Sequence, residues 1–177
     1  MKRRRGDTLT GGTNDVNPQY TSTQIVESAA NTFTQGSINL PVLRGKTSHG
    51  KYQVIELLKM MANITGNDGA TASVRSFSIS TASKSTAVPN INDPDVLYHY
   101  DDTITITTSG LYVQENPIEY DFTDGAGHGL IVATETMFFQ LQGVSQTNAL
   151  TANVRIIYRF KNIGVDEFVG LAIQQNG

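Results

Sequence analysis

Four cationic side chains stand next to one another at the start of the chain: Lys2, Arg3, Arg4 and Arg5. Ammonium and guanidinium groups bind phosphate oxygens, and on an unstructured leader this contact needs no partner geometry because counterion release drives it. The sequence therefore predicts that these four residues contact nucleic acid. A solubility tail and a nuclear localisation signal are the alternative interpretations of the same residues.

A second group of chemically capable side chains is the acidic cluster of Asp93, Asp95, Asp101 and Asp102. Oxygen-rich clusters of this type can hold calcium at subunit interfaces, although the spacing does not match the ligand pattern of an EF-hand. The neighbouring residues are turn formers, so solvated carboxylates in turns are the other interpretation. We predict no metal site and keep calcium as the alternative.

Other candidate catalytic groups lack the spacing that chemistry requires. The histidines His49, His99 and His128 are far apart and form no HxH or HExxH pattern. The glycine-rich string Asp124–Gly129 lacks the lysine of a phosphate-binding loop and is not set between a strand and a helix, so a flexible loop between strands is expected there. We therefore predict that the protein is not an enzyme and needs no cofactor.

Composition places these groups on one domain with a charged leader. The chain has 177 residues, of which 38% are apolar and 16% are charged, and it contains no cysteine. This length suffices for one ordinary core, and no apolar run is long enough to cross a bilayer. Without the four cations at the start, nine basic residues face sixteen acidic ones, which gives the body a charge of −7. A cationic arm thus precedes an acidic body.

The pattern of the chain predicts an all-β domain. Residues 1–18 are predicted to be a basic N-terminal arm, and residues 19–177 a shell domain of short strands separated by Gly, Asn, Asp and Pro. Eight strands are predicted, and together they indicate a single jelly-roll β-sandwich. Their expected ranges are Tyr20–Ser28, Thr32–Leu40, Lys51–Ile64, Ser73–Thr81, Leu97–Thr107, Leu111–Phe122, Leu130–Gln142 and Leu150–Phe160.

Lys51–Ile64 and the end of the chain each allow more than one structure, and the last two strands are predicted to pair. Lys51–Ile64 carries apolar residues at helical spacing, but it also has one strand face, on which Tyr52, Val54 and Met60 lie, and the all-strand context favours a strand. Leu130–Gln142 and Leu150–Phe160 are joined by a short polar connection and are predicted to form a hairpin. The apolar pattern after Val165 predicts a terminal helical turn or a docking segment.

The opening residues carry a family resemblance. The stretches KRRRGDTLTGGT (residues 2–13) and DVNPQ (residues 15–19) resemble the start of coat proteins from small circular Rep-encoding single-stranded DNA (CRESS-DNA) viruses. Gln53–Lys59 (QVIELLK) is similar to a VxEILK-type stretch that forms a strand in those proteins. Many relatives carry longer arginine-rich arms, whereas this arm has four cations.

The resemblance implies a capsid protein that self-assembles into an icosahedral shell around a single-stranded DNA genome. The smallest such shell has about 60 equivalent copies, whose arms would supply about 240 positive charges, fewer than the phosphates of a small genome. It also implies a virion location, with assembly in the host nucleus and no membrane. The expected interface loops are Thr65–Thr71, Ala82–Asp95 and Asp124–Gly129. A carbohydrate-binding β-sandwich of the lectin or fibre-tip type is the alternative function.

Overall fold

The computed structural model describes residues 17–40, 50–66, 72–104 and 117–175. These residues form nine strands and one helix, α1 (Val165–Gln175). The strands are β1 (Gln19–Val26), β2 (Thr34–Asn39), β3 (Tyr52–Thr65), β4 (Ser73–Ser80), β5 (Val96–Ile104), β6 (Ile118–Asp121), β7 (Leu130–Val132), β8 (Thr136–Val144) and β9 (Thr151–Ile163).

The strands make two antiparallel sheets. The first sheet has the order β1-β9-β3-β6, and β7 also pairs with β3; the second has the order β2-β8-β4-β5. Because β9 pairs with β3 along almost its whole length, β6 and β7 share the opposite edge of β3 and occupy one strand position. From β1 to β4 the chain alternates between the sheets, which is the connectivity of a jelly roll. The predicted fold class is confirmed.

One apolar core fills the space between the sheets. In β1 the predicted alternation holds, since Ile25 is buried in the core whereas Ser22, Gln24 and Val26 are exposed. The largest fully buried side chains include Phe77 of β4 and Phe139 of β8. Burying each such side chain contributes about 1.5–3 kcal/mol relative to leaving it in water.

The ambiguous segment Lys51–Ile64 is a strand, and a β-bulge explains its helical spacing. The register of β3 against β9 shifts between Leu57 and Lys59. An extra residue at a bulge moves the following side chains to the other face. Leu57 and Met60 therefore both lie in the core although they are three residues apart. The predicted strand face was wrong, because Tyr52 and Val54 face away from the core cluster that holds Met60.

The predicted hairpin between the last two strands is wrong. Leu130–Gln142 is divided into β7 and β8, which belong to different sheets, and β8 and β9 also lie in different sheets. The buried carboxylate of Glu27 accepts hydrogen bonds from the backbone N–H groups of Gly143 and Leu150, both at 2.7 Å. These two residues stand at the ends of the connection. Glu27 thus satisfies the donors that a hairpin ladder would have bonded.

The helix α1 confirms the predicted docking segment at the end of the chain. Its Phe168 stacks on Tyr52 with ring centroids 4.2 Å apart. Together with Leu171 it packs on a small apolar cluster that includes Val54 and lies outside the main core. Among the described residues, no helix is long and apolar enough to cross a membrane.

Candidate interaction surface

The residues predicted to contact nucleic acid lie outside the described part of the structure. The structure does not describe residues 1–16, which include Lys2, Arg3, Arg4 and Arg5. His49 and most of the loop Thr65–Thr71 also lie outside the described residues. Their assignment therefore stays a prediction. Nothing in the structure tests the boundary at residue 18 between the arm and the shell domain.

The four carboxylates of the acidic cluster do not converge. Asp93 and Asp95 both bind the ammonium group of Lys84, at 2.8 and 2.9 Å. The hydrogen bond from Lys84 lowers the pKa of Asp93 below its ordinary value, against the opposing effect of burial. The structure thus places this pair of carboxylates around a lysine of the loop Ala82–Asp95.

The other two carboxylates of the cluster have different partners. Asp101 lies 2.9 Å from a ring nitrogen of His99, and Asp102 forms an ion pair with the buried Arg75. They are consecutive residues of β5 and therefore face opposite sides of the second sheet. Within the described residues, no group of three acidic or histidine side chains is arranged to hold a metal ion.

The glycine-rich loop Asp124–Gly129 is fixed by its own aspartate. One carboxylate oxygen of Asp124 accepts hydrogen bonds from the backbone N–H groups of Ala126 and His128, at 2.9 and 3.0 Å. The hydrogen bond from the His128 N–H has the largest effect on the pKa of Asp124, and together with that from Ala126 it lowers this pKa. The segment is a loop between β6 and β7, as expected, and in it Gly125 and Gly127 adopt positive φ angles of 80° and 88°.

A buried carboxylate holds this loop on the first sheet. Glu56 of β3 has a side chain that is 1% exposed and forms an ion pair with Arg159 of β9. Its other oxygen accepts a hydrogen bond from the backbone N–H of Gly129 at 3.1 Å, and Lys161 lies 3.4 Å away. Arg159 also donates to the carbonyl oxygen of Gly127. The sequence analysis missed this cluster because its members are brought together by strand pairing over about 100 residues.

The burial of Glu56 and its polar partners act in opposite directions on its pKa. Desolvation, the largest effect, raises the pKa of the carboxyl group. The hydrogen bonds from Arg159 and Gly129 and the charges of Arg159 and Lys161 together outweigh desolvation, so that the pKa lies below its ordinary value of 4.5. Glu56 is thus held as a carboxylate, in a position where it stabilises the fold.

These contacts divide the outer face of the first sheet into two halves. The covered half lies under α1 and the loop Asp124–Gly129, and it includes Val54 and Glu56 of β3. The open half lies beyond the β3 bulge. It consists of Tyr20, Ser22 and Gln24 of β1, Asn153 and Arg155 of β9, and Met61 and Asn63 of β3.

The open half forms a shallow depression of about 510 Å³. At its rim Tyr20 is 69% exposed, and the guanidinium of Arg155 lies 5.1 Å from the centre of the Tyr20 ring. Gln24 donates a hydrogen bond to Asn153 at 2.9 Å. Tyr20 and Arg155 are too far apart in the sequence for any motif to reveal the pair, whereas the register of β1 against β9 places them near each other.

The chemistry of the open half is that of recognition. Its amides and hydroxyl groups donate and accept hydrogen bonds, and its guanidinium donates them. Met61 and the exposed ring of Tyr20 supply apolar contact area. Tyr, Met and Arg are enriched in protein interfaces, and charged side chains are depleted at their centres. The open half is therefore suited to binding another molecule.

Comparisons with known proteins identify the fold. No protein-family model matches the chain, and no curated protein matches it in sequence. Among solved structures it is similar to VP1 of Trichodysplasia spinulosa-associated polyomavirus in complex with GM1 oligosaccharide, with a TM-score of 0.55 and 8% identity over 83% of this chain and 95% of that chain. Apo VP1 of New Jersey polyomavirus matches with a TM-score of 0.55 and 6% identity, over 84% of this chain and 100% of that chain. VP1 from the human polyomavirus 7 pentamer matches with a TM-score of 0.51 and 7% identity, over 82% of this chain and 95% of that chain. At these identities the likeness establishes a shared jelly-roll fold.

Proposed function

We propose that this protein is a viral capsid protein whose jelly-roll domain assembles with copies of itself into a closed icosahedral shell. The observation that carries the proposal is the similarity of fold to VP1 structures, which are capsid proteins, over 95% and 100% of the chains matched. The similarity extends over whole VP1 chains in those structures rather than over one shared motif. A structural role follows more directly from such a match than an enzymatic one.

The distribution of charge supports a genome inside the shell. The arm carries four cations, whereas the rest of the chain has a balance of −7. Four charges bind nucleic acid weakly in one copy, but many arms in one cavity act together. We propose that Lys2, Arg3, Arg4 and Arg5 face inward and contact single-stranded DNA, in a shell of about 60 copies. The resemblance of residues 2–19 to CRESS-DNA virus coat proteins supports this cargo.

The same proposal gives the protein a location. A shell that encloses a genome is the virion, and the cluster of cations at the start of the chain also has the composition of a nuclear localisation signal. We therefore propose assembly in the host nucleus. Fusion of residues 1–18 to a fluorescent protein tests this part, because nuclear accumulation is expected and an even distribution between the compartments would contradict it.

The decisive experiment is negative-stain electron microscopy of the purified full chain, together with its ultraviolet absorbance spectrum. Uniform closed particles with the absorbance of nucleic acid are the expected result. A stable monomer or dimer across a range of salt and pH would contradict the proposal.

A variant with glutamine at all four cationic positions separates the arm from the shell. Glutamine keeps a polar, hydrogen-bonding side chain at each position and removes its charge. Particles that form without nucleic acid are expected. Particles that still hold the same amount of nucleic acid would contradict the role assigned to the arm.

Carbohydrate binding is the second candidate, and one observation favours it. The depression of the open half is lined by amide, hydroxyl and guanidinium groups beside the exposed ring of Tyr20. Such a set can hydrogen-bond sugar hydroxyls and stack on a sugar ring. Screening of the unassembled protein on a glycan array, with Tyr20→Ala as the control variant, tests this function. Binding by the native chain that is lost in the variant would support it.

A further inference from the structure

The free edge of β1 differs from the other sheet edges of the described structure. β1 has eight residues (QYTSTQIV) and carries no charge and no proline. Long uncharged edge strands are rare in soluble monomers because their unpaired backbone groups pair with other chains. The other edge of the first sheet carries Glu119 and Asp121 on β6. At β7, the side chain of Gln175 forms hydrogen bonds with the backbone of Ile131 and of Ala133, the residue after the strand, both at 2.8 Å.

The edges of the second sheet are protected or short. β5 carries Asp101 and Asp102, and charged side chains discourage edge pairing. β2 has six residues and includes Gly36. It faces β1 across the core, since a Cβ atom on Gly36 would come within 2.9 Å of the Ile25 side chain. With eight residues, β1 is the longest uncharged edge strand among the described residues.

The register shows which backbone groups point outward from this edge. The N–H of Glu27 bonds the carbonyl oxygen of Leu150, and these two residues continue the β1–β9 register in which Val26 is opposite Thr151. Hydrogen-bonded pairs alternate along an antiparallel ladder. Ile25, Thr23 and Thr21 therefore bond β9, whereas the backbone N–H and C=O groups of Tyr20, Ser22 and Gln24 point away from it.

We propose that two copies of this chain pair antiparallel through their β1 edges, about a two-fold axis at Ser22. The inference rests on the proposed function, because it names one contact through which the shell would assemble. In this register Ser22 faces Ser22 of the second copy, Tyr20 faces Gln24, and Thr21 faces Thr23. No like charges meet, and Thr pairs across strands are favourable.

Side chains on the open half support the same register. Tyr20, Ser22 and Gln24 all lie on the outer face of the first sheet. Tyr20 of one copy would lie beside Gln24 of the other, at the depression that Gln24 and Asn153 line. The exposed ring and the depression belong to the same surface, which is the self-complementarity that a two-fold interface requires. Pairing merges the two first sheets and joins their open halves into one surface.

Single cysteines test this contact directly because the chain contains no cysteine. Directly opposite residues of a hydrogen-bonded pair have Cα atoms about 5.5 Å apart, within the range of a disulfide. Ser22→Cys is expected to convert almost completely to a covalent dimer on mild oxidation. Ser37→Cys, at an exposed position of β2, is the matched control and is expected to stay uncoupled.

Two further variants test the register. Tyr20→Cys and Gln24→Cys should each fail to couple alone, because Tyr20 residues of the two copies would be separated by four positions, about 13 Å. A mixture of the two variants should couple. Ser22→Pro removes an outward N–H and is expected to abolish pairing, whereas Ser22→Ala keeps that N–H and should pair normally.

The results separate this contact from the proposed function. Equal coupling of Ser22→Cys and Ser37→Cys in protein that forms closed particles would overturn the β1 contact and leave the shell intact. Strong coupling of Ser22→Cys in protein that never forms particles would support the contact and contradict the shell. Coupling that requires deletion of residues 1–16 would show that the arm covers this edge, and it would also overturn the proposal.

Discussion

The two halves of the outer face of the first sheet differ in character although β3 and β9 build both. In the covered half, Val54 and Glu56 are almost fully buried under α1 and the loop Asp124–Gly129. In the open half, Asn63 and Arg155 are exposed on the same two strands. The register shift between Leu57 and Lys59 lies between the two halves. β3 thus runs from a covered to an exposed environment, and its bulge lies between the two.

This difference indicates that the two halves have different purposes. The covered half is closed by parts of the same chain and contributes to the stability of a single copy. The open half leaves a tyrosine and a row of amides in water, which adds little to that stability. A surface of this composition is available for contact with another molecule.

The largest loss of stability is expected from a substitution of Glu56, in the covered half. Glu56→Ala removes the acceptor of the Gly129 N–H and leaves Arg159 without its buried partner. We expect a loss of about 3 kcal/mol in the free energy of unfolding, at the lower end for a buried ion pair because Arg159 is partly exposed. Urea denaturation of the unassembled protein measures it.

Glu119→Ala is the matched control for Glu56→Ala. Glu119 pairs with Lys59 at 2.6 Å, and their side chains are 50% and 37% exposed. A change below about 1 kcal/mol is expected for such an exposed pair. Equal losses in the two variants would show that the buried ion pair of Glu56 contributes no more to stability than an exposed one.

The second effect concerns the loop that closes the covered half. A Cβ atom at Gly129 would lie 2.0 Å from the carbonyl oxygen of Leu57, so Gly129→Ala must displace the loop from β3. We expect destabilisation by about 2 kcal/mol. Gly170→Ala, on α1 with nothing within 4 Å of the added atom, should instead stabilise by up to about 1 kcal/mol. A thermal unfolding series in which both variants behave alike would contradict this packing.

The third effect is the pH dependence of the covered half. The folded-state pKa of Glu56 lies below 4.5, so its contribution is complete above that pH and is lost as the pH falls through the folded value. The difference in unfolding free energy between the native chain and Glu56→Gln should therefore shrink between about pH 5 and pH 2. Denaturation curves across this range measure it. A difference that grows on acidification would contradict the lowered pKa of Glu56 in the folded state.

Much of the fold was predictable from the sequence because alternation along β1 and β4 is local information. The bulge in β3 was not, since the spacing of Leu57 and Met60 is the same in a helix and at a bulge. The hairpin prediction failed for a different reason. Glu27 bonds both ends of the connection between β8 and β9, and nothing in that connection reveals a carboxylate more than 100 residues away.

The candidate surface was less predictable than the fold. The four cations of the arm are consecutive in the sequence and can be recognised there. Tyr20 and Arg155 are brought together only by the register of β1 against β9. The Glu56 cluster likewise depends on pairing between β3 and β9. Sites assembled across a sheet need the register, which a single sequence does not contain.

Substitutions in the open half are expected to change the stability of a single copy least. Tyr20→Ala and Arg155→Ala each remove one partner of an exposed cation–π contact at 5.1 Å. A double-mutant cycle on the unassembled protein should give a coupling of about 0.5 kcal/mol or less. If the open half is a contact between copies, Tyr20→Ala should nevertheless reduce the yield of particles strongly, because a rigid aromatic side chain at an interface contributes more than at a free surface. A large loss of stability in the single chain, with normal particle assembly, would instead make the open half a stabilising surface like the covered one.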